Sequence, residues 1–248
     1  MRTLAHLSDL HFGRVDARVL EPLRMALRAI GPDLVVVSGD LTQRARLSQF
    51  REARAFLDSL PFARLVIPGN HDIPLYNVAR RILAPLRGYR RIVDGDLAPV
   101  YVDAEIVVAG VNTARSLAFK GGRIGASQLA RLRALLGAEP ASKTKIVVTH
   151  HPFDGELAKC GADLLLSGHL HEAEVALSAG GAATLVVQAG TATSSRTRES
   201  PNSFNVLRIE PGRIGVETLR WNGGGFEIHE ARAFERVASR WKKSAAAP

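Results

Sequence analysis

The chain has 248 residues, 46% apolar and 23% charged, a composition that excludes disorder, collagen-like repeats and disulfide scaffolds and leaves ample length for a buried core. A single cysteine, Cys160, can form neither an internal disulfide nor a thiolate-rich metal site, so it reads as a small buried hydrophobe in a chain suited to a reducing compartment. Thirty-three basic residues against 24 acidic ones give a net charge of +9, which points to an anionic partner, while no apolar run approaches the roughly 20 residues needed to span a bilayer, so no membrane partner is expected.

The N-terminus carries no signal-peptide pattern and enters a strand within three residues, so a cytoplasmic location is expected. Strands are predicted over 3–8, 34–38 and 65–68. Between them, Leu20, Leu23, Leu27 and Ile30, then Leu47, Phe50, Leu57 and Leu60, recur at helical spacing. Arg44, Arg46, Arg51 and Arg54 fall in or near the second of these helices and read as a solvated face. Aromatic residues are only 6% and do not interleave with the charges, so nucleic acid is not the favoured partner.

A third helix is signalled by Leu129, Leu132, Leu135 and Leu136, ending near Gly137 and Pro140. Strands follow at 146–149 and 164–167. After Gly168 the texture changes to closely spaced strands at 175–177, 184–188, 204–209 and 215–219, an antiparallel run with hairpin candidates at Gly180-Gly181 and Pro211-Gly212 and a turn at 223–225. Residues 231–241 are expected to form a C-terminal helix and 244–248 a frayed tail. Alternation of strands and helices places the chain in the α/β class, and no linker or repeat divides it, so residues 1–248 read as one domain.

Five segments place Asp, His or Asn at the mouth of a predicted strand: Asp9-Leu10-His11, Gly39-Asp40, Gly69-Asn70-His71-Asp72, His150-His151-Pro152 and Gly168-His169-Leu170-His171. Ligands of open α/β sheets bind at the carboxyl ends of strands, so these mouths can converge. In an extended chain residues i and i+2 point the same way, which would bring Asp9 with His11, and His169 with His171, to one site as pairs. Imidazoles, carboxylates and an amide without thiolates suit Mn, Fe, Co, Ni or Zn. Seven candidate ligands are too many for one tetrahedral ion and suffice for two sharing a bridging carboxylate, for which Asp40, alone in its segment, is the natural choice. Two such ions can activate a shared water and clamp the attacking and leaving oxygens of a phosphoryl displacement. Neither HE pair completes H-E-x-x-H, and no G-x-x-x-x-G-K-[ST] or G-x-S-x-G motif is present.

In their order D-x-H, G-D, G-N-H-D, H-H-P and G-H-x-H, these motifs resemble the calcineurin-like metallophosphoesterase superfamily. HLSDLHFG, SGDLT, PGNHD, THHPF and SGHLH are similar to its bacterial branch that includes class III cyclic-nucleotide phosphodiesterases. The resemblance implies a four-layer αββα sandwich. It also implies that Asp9, His11 and His171 bind a first metal, that Asp40 bridges, and that Asn70, His150 and His169 bind a second, with His151 the alternative to His150. His71 would face the substrate as catalyst, oriented by Asp72. Two divalent or mixed-valence ions, of Mn, Fe or Zn, are the implied cofactors.

Asn112, in a segment that resembles one contributing to substrate binding in the family, and Arg196, in the polar loop 190–203, are the candidate substrate contacts. His6 and His229 lie outside the motifs and read as structural. The expected function is phosphodiester hydrolysis of a small anionic substrate such as a cyclic nucleotide, by in-line attack of a metal-activated water. A phosphomonoesterase or nuclease of the same superfamily is the alternative within the enzyme class, and a non-catalytic scaffold the alternative outside it.

Overall fold

The computed structural model describes residues 1–118, 121–179, 184–195, 200–238 and 240–244. The chain begins β1 (Arg2–Leu7), α1 (Ala17–Ile30), β2 (Leu34–Ser38), α2 (Leu47–Asp58) and β3 (Ala63–Ile67), then runs through α3 (Val78–Leu83), α4 (Arg87–Ile92), β4 (Val100–Val102) and β5 (Ile106–Val111). It continues with α5 (Ala126–Ala138), β6 (Thr144–Thr149), α6 (Asp154–Ala158), β7 (Leu164–Ser167), β8 (Glu174–Leu177) and β9 (Leu185–Gln188), and ends with β10 (Ser203–Glu210), β11 (Arg213–Trp221), β12 (Phe226–Val237) and β13 (Arg240–Lys243).

Two sheets result, of seven strands in the order β13-β12-β11-β10-β1-β2-β3 and of six in the order β4-β5-β6-β7-β9-β8. Their central strands are apolar without alternation because both faces are covered. Along β2, Val35 and Val37 pack beneath α1 and α2 with Leu23, Leu27, Phe50 and Phe56, while Leu34 and Val36 turn to the other face. That second face meets Ile106, Val108, Ile146 and Val148 of the six-stranded sheet. The outer face of the latter, Val107, Ala109 and Val147, is covered by Leu132 and Leu136 of α5 and Leu157 of α6. The layers are therefore helix, sheet, sheet, helix, the sandwich expected from the resemblance.

Polar groups are few between the sheets. His6 is fully buried there, with Nε2 2.9 Å from Ser38 Oγ and Nδ1 without a partner, and burial pushes it down to about 3. Cys160 lies buried under α5, as expected.

The described residues of 231–241 form strands rather than the expected helix. Phe234 and Trp241 are seven apart, a helical period, but they share the core between the sheets because the chain folds back at Ala238 (φ 49°) and β13 pairs antiparallel to β12. The run after Gly168 also divides between the sheets: β9 lies parallel to β7, with β8 antiparallel at the edge, while β10 to β13 extend the first sheet. Pro211-Gly212 closes the β10–β11 hairpin, with Gly212 at φ 75°. Gly180-Gly181 and residues 245–248 of the tail lie outside the described residues.

Candidate metal centre

The strands β1, β2 and β3 run parallel, as do β5, β6, β7 and β9, and every candidate ligand follows the carboxyl end of one of them. Asp9 and His11 follow β1, Asp40 follows β2 and Asn70 follows β3. From the second sheet, His150 follows β6, and His169 and His171 follow β7.

These side chains meet. His11 Nε2 lies 3.1 Å from His171 Nε2, and Asp9 Oδ1 is 3.1 Å from His171 Nε2 and 3.5 Å from His11 Nε2. Asp40 Oδ2 lies 3.8 Å from His11 Nε2 on one side and 3.4 Å from His150 Nε2 on the other, the position of a bridge. Asn70 Oδ1 is 3.0 Å from His150 Nε2 and 3.1 Å from His169 Nδ1. Possible donor atoms group within 4.8 Å of one another as Asp9, His11 and His171; Asp9, Asp40 and His150; His11, Asp40 and His71; and His150, His151 and His169.

The local backbone is unusual. Asp9, His11, Asp40, His169 and His171 have φ of 53°, 49°, 52°, 73° and 61°, a region non-glycine residues enter at a cost and that concentrates at functional sites. The D-x-H and H-x-H pairs therefore do not converge by extended alternation; successive left-handed residues curl each loop around the site. Neighbouring backbone is pressed close to make room. A Cβ on Gly168 would stand 1.8 Å from Ser8 Oγ and 2.7 Å from Asp9 Oδ2, so only glycine fits there.

Buttresses hold the loops. Asp9 Oδ2 accepts from Ser8 Oγ at 2.6 Å and from the His169 amide at 2.9 Å, while Thr191 and Thr193 hydroxyls donate to the carbonyls of Asp9 and Leu10, each at 2.7 Å. The first part of the 190–203 loop, with Thr191, Thr193 and Ser194 buried, is thus a strut beneath the D-x-H turn. Asp72 is equally committed to backbone: it accepts from the amides of Leu41, Thr42 and Gly69 and from the Thr42 hydroxyl, tying the second and third loops together. Burial, together with the charge of Asp40, raises its carboxyl to about 6. The His71 ring instead sets Nδ1 3.0 Å from the Gln43 carbonyl, with Arg44 Nη1 at 3.4 Å. Asp72 thus braces the loop that carries His71.

The electrostatics ask for cations. Burial alone would raise Asp9 and Asp40, yet the imidazoles around them hold both below the ordinary carboxylate range. Asp40 in turn outweighs the burial of His150 and raises it to about 9, whereas burial and the neighbouring His150 lower His151 to about 3 and His169 to about 4. Buried Asp9 Oδ1 faces the Nε2 atoms of both His11 and His171, and those paired nitrogens, 3.1 Å apart, have room for at most one proton between them. His150 Nδ1 lies 2.8 Å from the Ser38 carbonyl; with a proton held there, an ion between His150, Asp40 and Asn70 would be met by the Nε2 lone pair. His151 differs: Nδ1 is engaged by Thr113 Oγ1 at 2.8 Å, while Nε2 is buried without a partner. Oxygen and imidazole donors around two buried carboxylates fit borderline transition-metal ions.

Of the substrate candidates, Asn112 receives the Ala114 amide on Oδ1 at 3.0 Å and lines a cavity of about 590 Å³ with Ile73, Arg90, Arg91 and Arg115. Arg196 lies outside the described residues. Sequence reasoning missed Arg44, taken for a solvated helix face and found half-buried beside His71. It also missed Thr113, Thr191 and Thr193, whose hydroxyls carry no motif of their own.

A four-layer sandwich with a histidine–carboxylate cluster at the strand ends defines a metallophosphoesterase-type protein. Residues 2–173 match the calcineurin-like phosphoesterase model, and the chain belongs to that family. It is 42% identical over 82 residues to the glycerophosphodiester phosphodiesterase GpdQ of Enterobacter lignolyticus, a stretch covering 28% of this chain and 29% of that protein. It is 24% identical over 257 residues to a probable cyclic nucleotide phosphodiesterase of Synechococcus, covering 88% of this chain and 92% of the relative. Among solved structures, the purple acid phosphatase PPD1 of yellow lupin superposes with a TM-score of 0.73 at 12% identity, over 96% of this chain and 54% of that one. Vps29 of Chaetomium thermophilum superposes with a TM-score of 0.55 at 13% identity, over 95% and 98%. The chain thus spans less than a third of GpdQ in the matched region and about half of the lupin enzyme.

Proposed function

We propose that the protein is a metal-dependent phosphodiesterase of small anionic phosphodiesters, cyclic nucleotides or similar compounds. The observation that carries this reading is the position of Asp40, whose Oδ2 stands between His11 and His150 and so joins two groups of donors. Asp9, His11 and His171 would hold one ion, Asn70, His150 and His169 the other, with Asp40 shared. When bound, two such ions supply an acidified water as nucleophile and Lewis-acid stabilisation of the phosphoryl charge.

The chain's own residues do the rest. A proton on His71 Nδ1, held by the Gln43 carbonyl, leaves Nε2 as the atom through which His71 in its protonated form passes a proton to the leaving alkoxide. Arg44 adds positive charge beside that ring. Asp72 keeps the second and third loops in register, and Asn112 lines the cavity of about 590 Å³ that Ile73, the residue after Asp72, also lines. Both curated relatives are named as phosphodiesterases, which supports a diester over a monoester.

The test is a hydrolysis panel of cyclic nucleotides, linear diesters, monoesters and single-stranded DNA, run with Mn, Zn and Fe in turn. Diester turnover that Asp40→Ala abolishes is expected. Faster monoester or DNA cleavage would replace this reading with the corresponding alternative, and no hydrolysis with any metal would end it.

A further inference from the structure

The positive charge is concentrated rather than spread. Residues 73–93 contain five arginines, and 106–138 contain four arginines and a lysine, with no Asp or Glu in either stretch. The two stretches are pinned together by Arg81, which is buried and donates to the carbonyls of Pro74, Ser116 and Ala118. That contact turns α3 inside out. One of its two arginines, Arg81, faces inward, while Arg80 is exposed and Val78, Ile82 and Leu83 are 62%, 57% and 83% exposed, joined by Tyr76 and Leu117 at 77% and 85%.

Burying a guanidinium costs desolvation, and leaving five large apolar side chains in water forgoes their transfer free energy. A segment that accepts both is shaped for contact with something outside the molecule. Arg87, Arg90 and Arg91 of α4 are exposed, and among the described residues none of the three has an ion-pair partner. Arg115 joins the apolar and cationic parts into one face: with Ile82 and Leu117 it lines a cavity of about 630 Å³, and with Arg90 and Arg91 the neighbouring one of about 590 Å³.

We propose that this face docks on an anionic lipid bilayer, its apolar side chains entering the interface and its arginines lying among the headgroups. A second copy of the chain fits poorly, since a symmetric contact would bring two sets of unneutralised arginines together. Nucleic acid calls for stacking rings, and the patch offers aliphatic side chains with one tyrosine, whose ring already carries Arg44 at 5.8 Å. No described helix is long and apolar enough to cross a membrane. The expectation of no membrane partner rested on that feature, which bears on crossing and not on peripheral docking. The proposal does not depend on the chemistry of the metal centre.

The test is cosedimentation of the full chain with vesicles of phosphatidylcholine alone and with about 30% phosphatidylglycerol, in about 0.1 M NaCl. Binding to the anionic vesicles only, weakened by added salt, is expected. Arg90→Gln with Arg91→Gln should lower the partition coefficient about 25-fold, at about fivefold per arginine. Leu83→Asp with Leu117→Asp should lower it at least about tenfold. All four side chains lie outside the core, and circular dichroism checks that both variants fold. Failure to bind anionic vesicles overturns the proposal. So does binding that the leucine pair leaves unmoved, or a dimer in solution that the leucine pair dissociates.

Discussion

Acid should find this fold through His6. The ring sits between the sheets with burial as the main influence on it, which lowers its pKa from 6.5 to about 3. In the unfolded chain the same ring takes up a proton near 6.5. Below that pH the unfolded state therefore binds more protons than the folded one, so stability is full above about 6.5 and falls as pH drops toward 3. At about 1.36 kcal/mol per pH unit, the loss between pH 6.5 and 4.5 is about 2.7 kcal/mol. The other shifted histidines add their own dependence, so the informative quantity is a difference of differences. Urea unfolding of the wild type and His6→Gln at pH 7.5 and 4.5, both in chelator, cancels what the two proteins share. The variant should lose about 2.7 kcal/mol less than the wild type on acidification. Equal losses would refute the claim that the ring stays neutral between the sheets.

Four further outcomes are expected. Asp40→Ala should lower metal affinity by more than about 100-fold, read by metal analysis after dialysis, and remove diester turnover while circular dichroism stays native. His71→Ala should keep its metals and lose about 100-fold or more in kcat; loss of metal instead would make it a ligand. Gly168→Ala should cost about 1–3 kcal/mol in urea unfolding, because the new Cβ would meet Ser8 Oγ at 1.8 Å; an unchanged midpoint would show that the loops yield freely. Thr191→Val removes the hydroxyl that donates to the Asp9 carbonyl and should destabilise by about 1 kcal/mol, with metal affinity falling alongside. Normal affinity would separate the strut from the centre.

Much of the framework was legible because central strands buried on both faces read as unbroken apolar runs, and each ends in a polar motif that has no place inside a sheet. Asp9, Asp40, Asn70, His150 and His169 could be placed at strand mouths on that basis, and they do meet. What sequence patterning could not convey was conformation. Two loops were expected to converge by extended alternation, but left-handed residues at Asp9, His11, His169 and His171 do the work, and a φ angle leaves no trace in periodicity. The C-terminal segment misled for a related reason. Phe234 and Trp241 match a helical repeat only until Ala238 reverses the chain, and an alanine in that conformation is no turn signal. Short α3 and α4 escaped because six residues are too few to establish a period. Arg44, Thr113 and Thr191 act through contacts made across long stretches of chain.

Four of the seven converging residues hang from one sheet and three from the other, so a pair of ions gripped by all seven would fasten the two halves of the sandwich at one end, like a hasp across two leaves. Occupancy would then be a mechanical matter as well as a chemical one. Any ion held by the folded state alone adds its binding free energy to the cohesion of the leaves, and a chelator should loosen the whole body from that edge inward.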